Sequence, residues 1–155
     1  MIKLTDLLSE AKQVGILYHL VDKDAFIFNI TNDKIGNRKD DQISFSRSKS
    51  FESIPRHLPK DKVYARFIID GNQLSNKYKI FPVDDKYYKP KNTNKDLDFL
   101  FENKEDEFEE RIIGVINNLG KYIIAIDIFK NTNAEIDNLL KQYLKKYPGI
   151  KINYV

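Results

Sequence analysis

The sequence predicts an α+β domain with a mixed, mostly antiparallel sheet. Short apolar runs rich in β-branched and aromatic residues alternate with polar, turn-forming segments, which is typical of strands. Amphipathic helical patterns occur near both ends of the chain, and the last third ends in strand–helix–strand order. Because 155 residues is the length of one ordinary domain, we expect residues 1–155 to form a single domain.

The first quarter predicts one helix and two strands. Residues 5–13 predict an N-terminal helix, since apolar residues recur at helical spacing and Thr5 can cap it. The run VGILYHL, residues 14–20, predicts a strand. The run DAFIFNIT, residues 24–31, predicts a second strand because its apolar residues alternate, although a helix remains an alternative. Residues 32–41 are polar and predict a turn.

The next segments predict a strand and a loop. The run QISFSRSKSF, residues 42–51, predicts a strand, and regular alternation puts Ser44 and Ser46 on the face opposite to Arg47. Residues 53–61 contain two prolines, which remove amide donors and predict a loop.

The middle of the chain predicts two more strands and a long connection. Residues 63–69 give the clearest strand, which we expect to end in a turn at Asp70-Gly71. Residues 76–82 predict a further strand that ends near Pro82. Residues 84–107 are charged and nearly without apolar anchors, so they predict a surface excursion with at most one helical turn.

The last third predicts strands around one helix. Residues 108–129 contain two apolar runs separated by the turn signal NNLGK, and Tyr122 to Phe129 is long enough for a buried strand. Residues 132–147 predict a C-terminal helix capped by Thr132 or Asn133 and stopped by Pro148-Gly149. The final IKINYV predicts a short strand.

Composition excludes several classes of site. The chain has no cysteine, so it has no disulfide, thiolate metal site or cysteine nucleophile, and with two histidines we expect no metal site. No run approaches the roughly 18–20 apolar residues of a membrane span, and the first residues include acidic side chains where a signal peptide is apolar. We therefore expect no membrane association and a cytoplasmic location. The net charge of +3 permits a phosphate-bearing ligand.

Three short motifs remain after known signatures are excluded. The chain has no glycine-rich phosphate loop, no HExxH and no GxSxG, which leaves Tyr18-His19, the run SFSR from Ser44 to Arg47, and the acidic run EFEER at residues 107–111. Each alone has an ordinary structural explanation. A Tyr-His pair at a strand end is commonly structural, SFSR is common in edge strands, and the acidic run suits the first turn of an amphipathic helix over residues 108–119.

Taken in chain order, the three motifs resemble the mono-ADP-ribosyltransferase superfamily. The strand with LYH, the strand with ISFSR and the later EFEERI followed by YIIAIDI are similar to its small phage and toxin–antitoxin members, over residues 15–129. The resemblance implies a split sheet of ADP-ribosyltransferase type that binds NAD as a substrate. It also implies transfer of ADP-ribose to a protein or nucleic-acid acceptor, in the host cytoplasm if the chain is phage-encoded.

The resemblance assigns a role to each motif. His19, with Tyr18 beside it, would hold the ribose of the adenosine half, and Ser44 or Ser46 would line the nicotinamide side. A catalytic glutamate, Glu109 or Glu110, would stabilise the oxocarbenium-like centre as nicotinamide leaves. Alternation lets only one of the two glutamates face the cleft, and the ExE spacing from Glu107 slightly favours Glu109.

Arg47 completes this set, since guanidinium matches the pyrophosphate of NAD. The threonine or glycine that often follows the histidine in this family is replaced here by Leu20-Val21. The fold could therefore be retained without activity.

Two other functions fit parts of the sequence. RNA 2′-phosphotransfer also uses NAD and would draw on Arg47, Arg56, His57 and Arg66, although the acidic run argues against a polyanionic acceptor. A non-enzymatic phage accessory or interaction protein would bind a host protein or nucleic acid through the lysine- and tyrosine-rich residues 76–91. The sequence does not determine the acceptor or the oligomeric state.

Overall fold

The computed structural model describes residues 14–47, 58–82 and 109–155, which form an α+β fold. Its main sheet has seven strands in the order β5-β6-β3-β1-β4-β8-β9, and β2 pairs with β7 in a second sheet. The strands are β1 (Ile16–Val21), β2 (Lys34–Ile35), β3 (Gln42–Ser46), β4 (Ala65–Asp70), β5 (Phe81–Pro82), β6 (Glu109–Ile113), β7 (Ile116–Asn117), β8 (Ile123–Ile128) and β9 (Lys151–Tyr154). The helices are α1 (Lys23–Asn32), α2 (Gly71–Ser75) and α3 (Ala134–Lys146), with 3-10 turns at Lys60–Lys62 and Leu119–Lys121.

The main sheet is mixed, as predicted. Every neighbouring pair in it is antiparallel except β8 and β9, which α3 connects in parallel. A parallel pair requires a crossover of this kind, because a tight turn can only join antiparallel strands. The predicted C-terminal helix is confirmed with Asn133 as its N-cap, whereas the predicted N-terminal helix over residues 5–13 lies outside the described residues.

The strand predicted over residues 24–31 is wrong, because this segment is the helix α1. Asp22 caps it by accepting a hydrogen bond from the Ala25 amide at 2.8 Å. Asp33 ends it in the left-handed conformation, with a φ of 52°. The buried residues Phe26, Asn29 and Ile30 have the i, i+3, i+4 spacing of a helix face, and these caps outweigh the apparent alternation.

Three other expectations for the middle and end of the chain are corrected. The turn expected at Asp70-Gly71 is the start of α2, because the Asp70 side chain accepts from the Gln73 amide at 3.1 Å and caps a helix there. The strand expected over residues 76–82 shortens to β5. The helix considered over residues 108–119 is excluded by β6, whereas the predicted strands at β1, β3, β4, β8 and β9 are confirmed.

The main sheet has two faces with different surroundings. On the first, which we call the helix face, Phe26 of α1 packs with ring centroids 5.9 Å from Phe67 of β4 and 5.3 Å from Tyr64, while α1 packs against α3. Alternation and register place on this face the strand residues Leu17, His19, Val21, Ile43, Phe45, Ala65, Phe67, Ile69, Glu110, Ile112, Ile126 and Ile128. Nearly all are buried and apolar, so the hydrophobic core lies between the sheet and the helices.

The residues that alternate with these form the opposite face. It carries Tyr18, Leu20, Gln42, Ser44, Ser46, Arg66, Ile68, Arg111, Ile113, Asp127 and Asn153. This face is more polar than the helix face. Over the described ranges, no helix is both long and apolar enough to span a membrane.

Candidate functional site

The first feature of the candidate site is a row of three side chains across the helix face. Tyr18 pairs with Ser46, and Phe45 pairs with Glu110, so the position next to Tyr18 brings His19 beside Phe45. The ring centroids of His19 and Phe45 lie 5.4 Å apart. His19 and Glu110 are therefore on the same face two strands apart, which is about 10 Å at the usual spacing between strands.

His19 is held in one orientation by the neighbouring strand. Its Nδ1 lies 2.8 Å from the backbone carbonyl oxygen of Ser44. A carbonyl oxygen only accepts, so Nδ1 carries the proton and the neutral ring has its acceptor at Nε2. The ring also stacks on Phe67 at 6.4 Å, with an interplanar angle of 7°. The tautomer and the plane of the imidazole are thus fixed by contacts on both sides.

Glu110 is a carboxylate in a buried position on an apolar face. The residue is 3% exposed, and it forms an ion pair with Arg47, whose Nε lies 3.4 Å from Oε1. The pair does not reach hydrogen-bond geometry, so among the described residues the Nε of Arg47 and the Oε1 of Glu110 are both buried without a hydrogen-bond partner. Burial raises the pKa of Glu110, and the positive charge of Arg47 offsets this effect only in part.

The side chains of Tyr18, Ser44 and Ser46 belong to the opposite face. In the strand register, Tyr18 pairs with Ser46 and Ser46 pairs with Glu109, which gives a second row directly behind the first. Ser44 pairs with Arg111 on the same face, where the Nη1 of Arg111 donates to the Gln42 side chain at 2.6 Å. The sheet separates the predicted residues into two sets, and the hydroxyls of Ser44 and Ser46 do not share a face with His19.

This division follows from residue parity along paired strands. Positions 19, 45 and 110 form one set with Arg47, which follows Phe45 by two residues and contacts Glu110. Positions 18, 44, 46 and 109 form the other set. Ser44 still contributes to the helix face, but through its carbonyl oxygen and not its hydroxyl.

A buried ion pair on the opposite face was not anticipated from the sequence. Arg66 donates from Nη2 and Nε to Oδ2 of Asp127, at 2.6 and 3.1 Å, and Asn153 donates to Oδ1 at 2.9 Å. The guanidinium of Arg66 also lies over the rings of Tyr18 and Phe129, at 5.7 and 5.1 Å. Arg66 and Asp127 are direct partners in neighbouring strands, and their charges within apolar runs were the signal that could have revealed them. Arg56 and His57 lie outside the described residues.

A second carboxylate cluster lies at the end of α1. Asp33 accepts hydrogen bonds from the Tyr143 hydroxyl at 2.6 Å, the Gly120 amide at 2.9 Å, and the Tyr147 hydroxyl. The Lys146 ammonium lies 3.3 Å from the same carboxylate. Burial alone would raise the pKa of Asp33, but these donors outweigh it and hold the pKa below the usual value. The cluster joins α1, the 3-10 turn before β8, and α3.

The candidate site holds one carboxylate, one imidazole and one guanidinium. Within residues 14–47, 58–82 and 109–155, no group of three His, Asp or Glu side chains could hold a metal ion. No family model, no curated protein and no solved structure matches the chain.

Proposed function

We propose that the chain is an NAD-dependent ADP-ribosyltransferase whose NAD site lies on the helix face at β1, β3 and β6. The observation that carries the proposal is the register that puts His19 and Glu110 on one face of the sheet, with β3 between their strands and Arg47 beside Glu110. The resemblance in the sequence assigns the same residue types to one NAD cleft. The split sheet of ADP-ribosyltransferase type belongs to this proposal as well.

Glu110 is the carboxylate of the proposed reaction. The bond between the ribose C1′ and the nicotinamide nitrogen breaks with its electron pair leaving on nicotinamide, and positive charge develops on the ribose. An ionised carboxylate in a buried site stabilises this charge more strongly than one in water would. The acceptor then adds its own electron pair to C1′ and loses its proton. Glu109 is left out because its strand position alternates with that of Glu110.

His19 and Arg47 position the substrate in this proposal. With Nδ1 donating to the Ser44 carbonyl, the neutral imidazole of His19 would accept a hydrogen bond from a ribose hydroxyl at Nε2. Arg47 would meet the pyrophosphate, since a guanidinium offers several parallel donors to phosphate oxygens. Tyr18 and the hydroxyls of Ser44 and Ser46 take no part, because they belong to the opposite face.

The direct test is NAD turnover by purified protein, followed as release of nicotinamide. We expect Glu110→Gln and His19→Ala each to reduce turnover at least 100-fold, the size expected for loss of a stabilising group in the transition state. Glu109→Gln is the matched control, and we expect it to retain turnover close to that of the wild type. Equal loss in Glu109→Gln and Glu110→Gln would contradict the assignment, and wild-type protein that neither binds nor consumes NAD would exclude the function.

Ligand-induced stabilisation separates this function from its alternatives. A ligand at about 100 times its dissociation constant adds roughly 2.7 kcal/mol to the free energy of unfolding. We expect NAD and ADP-ribose to raise the unfolding temperature and single-stranded RNA to leave it unchanged. A shift with RNA alone would favour the nucleic-acid reading, and no shift with any of the three would favour a non-enzymatic protein-binding role.

A further inference from the structure

The Arg47–Glu110 pair has the composition of an anion subsite whose charge depends on the protonation of Glu110. The pair is neutral when Glu110 is ionised and positive when Glu110 is protonated. The Glu110 side chain is 4% exposed and the Arg47 side chain 28% exposed, so the carboxylate is withdrawn from solvent while part of the Arg47 side chain is not. The two atoms are 3.4 Å apart without hydrogen-bond geometry. The contact is thus a loose ion pair whose cation is the more accessible member.

We propose that Arg47 is an anion-binding subsite whose occupation is coupled to proton uptake by Glu110. With Glu110 ionised, the pair carries no net charge and attracts an anion weakly. With Glu110 protonated, Arg47 is left as an uncompensated cation beside an apolar wall, and an anion binds it more tightly. By linkage, a bound anion must favour protonation of Glu110 by the same factor.

The sign of this coupling does not depend on how Arg47 moves. If the guanidinium stays in place, the anion brings a second negative charge close to Glu110 and opposes its ionisation. If the guanidinium turns toward the anion, Glu110 loses the cation that favours its ionised form. Both routes raise the pKa of Glu110, which burial has already raised.

Among the described residues, the charge that acts on the pKa of Glu110 is that of Arg47. From β3 the charged neighbour is Arg47, and from β1, one strand further, the titratable group is His19. From β5 the paired residues, Phe81 and Pro82, are not ionisable. On β6 itself, Arg111 belongs to the opposite face. His19 is therefore the group whose titration must be separated from that of Glu110.

The coupling also affects the expected pH dependence of the proposed enzyme. The identity of the natural anion, which would be the pyrophosphate of NAD, rests on the proposed function, whereas the coupling itself does not. Occupation of Arg47 by the ligand would then protonate part of the Glu110 population at acidic pH and lower turnover there. We therefore expect the acid limb of turnover at saturating NAD to lie at higher pH than the acid limb of turnover divided by KM.

The test uses sulfate, whose charge stays constant over the pH range studied, and follows the full-length protein by NMR at Arg47 Nε and Glu110 Cδ from pH 5 to pH 8. We expect sulfate to bind about fivefold more tightly at pH 5, the lower end of coupling between sites, and to raise the midpoint of the Glu110 titration. Arg47→Gln should abolish the effect, and Glu110→Gln should bind sulfate with the same affinity at both pH values. Arg38→Gln, the same change at an exposed arginine, should behave as the wild type.

Three results would overturn the inference. The first is a sulfate affinity of the wild type that does not change with pH. The second is sulfate binding that survives Arg47→Gln. The third is a pH dependence of sulfate affinity that disappears in His19→Gln but persists in Glu110→Gln. The outcome is separate from the proposed function. If sulfate binding is coupled to protonation of Glu110 but the protein does not bind NAD, the anion subsite stands and the proposed enzyme activity is excluded. If the protein turns over NAD but sulfate binding is not coupled, the enzyme activity stands and the coupled subsite is excluded.

Discussion

Asp33 and Glu110 are both carboxylates that lie mostly out of solvent, but they differ in what surrounds them. Asp33 receives two phenol hydroxyls, a backbone amide and a lysine, whereas the ion-pair partner of Glu110 among the described residues is Arg47, at 3.4 Å without hydrogen-bond geometry. The donors hold the pKa of Asp33 below its usual value, and burial holds the pKa of Glu110 above it. Asp33 is therefore a hydrogen-bonded structural carboxylate, whereas Glu110 is the carboxylate proposed to react.

This difference has a physical basis in desolvation. A buried charge is tolerated when several hydrogen bonds replace the water it has lost, and it is costly when they do not. Structural clusters satisfy their charges, while groups that must act on a ligand are commonly left with perturbed pKa values. Substitutions at the two carboxylates test this contrast.

The largest expected effect is from Asp33→Asn. Asparagine tolerates the left-handed backbone at residue 33 but leaves the hydroxyls of Tyr143 and Tyr147 without their charged acceptor. We expect a loss of roughly 2–4 kcal/mol in the free energy of unfolding at pH 7, measured in urea. Asp41→Asn, at a turn where Asp41 accepts hydrogen bonds from two backbone amides, is the matched control and should cost less. Equal losses in both variants would show that the Asp33 cluster is not exceptional.

The Asp33 cluster also sets a pH dependence. Because its folded pKa is lowered, the stability that Asp33 contributes is present above its unfolded pKa near 3.8 and is lost as the pH falls through the folded pKa. We therefore expect the gap in stability between wild type and Asp33→Asn to narrow below pH 4. A gap that stays constant down to pH 2 would contradict the lowered pKa.

The next effect, that of Glu110→Gln on the free energy of unfolding, is smaller and of opposite sign. The folded pKa of Glu110 is raised, so at neutral pH the ionised group costs stability, and this cost falls as the pH drops through the folded pKa and is gone below the unfolded pKa. We expect Glu110→Gln to raise the free energy of unfolding by about 1 kcal/mol at pH 7, and we expect this gain to shrink as Glu110 of the wild type becomes protonated. Arg47 is partly exposed, so water can solvate it in this variant.

The control for this gain is Glu135→Gln, at an exposed glutamate in the first turn of α3. It removes a favourable interaction with the helix dipole, and we expect a slight loss of stability instead. If Glu110→Gln destabilised the protein at pH 7, Glu110 would be a satisfied structural carboxylate like Asp33. The contrast between the two sites would then fail.

The elements that the sequence predicted well are the long and strongly periodic ones. β4, β8 and α3 have apolar patterns that fit one period only, and Asn133 is a good N-cap, so their positions were readable. The apolar residues of α1 fit both periods over eight residues. Its helical state was decided by the caps at Asp22 and Asp33, which a search for alternation does not weigh.

The sequence predicted which residue types could form the candidate site. It did not predict which of those residues share a face of the sheet. Alternation within β3 correctly separated Arg47 from the two serines. Which glutamate shares a face with His19 depends on the register of β1 with β3 and of β3 with β6. These pairings join residues dozens of positions apart, and so does the contact between Asp33 and Tyr143. Local sequence patterns do not show which residues pair when they are so far apart in the chain.

The smallest expected effect comes from Tyr147→Phe, which removes one hydroxyl from the Asp33 cluster. The Tyr147 ring also packs so closely on Gly120 that a Cβ there would lie 2.1 Å from it, and phenylalanine keeps this contact. The remaining donors, Tyr143, the Gly120 amide and Lys146, still surround the carboxylate. We therefore expect a loss of roughly 0.5–1 kcal/mol, measured by urea unfolding at pH 7.

Comparison with Gly120→Ala separates the hydroxyl from the ring. The added methyl group would push the Tyr147 ring away and disturb both the packing and the hydrogen bond, so the loss should exceed that of Tyr147→Phe. If Tyr147→Phe cost as much as Asp33→Asn, the cluster would depend on a single bond. Its stability would then not come from several donors sharing one carboxylate, and Asp33 would resemble Glu110 in having essentially one partner.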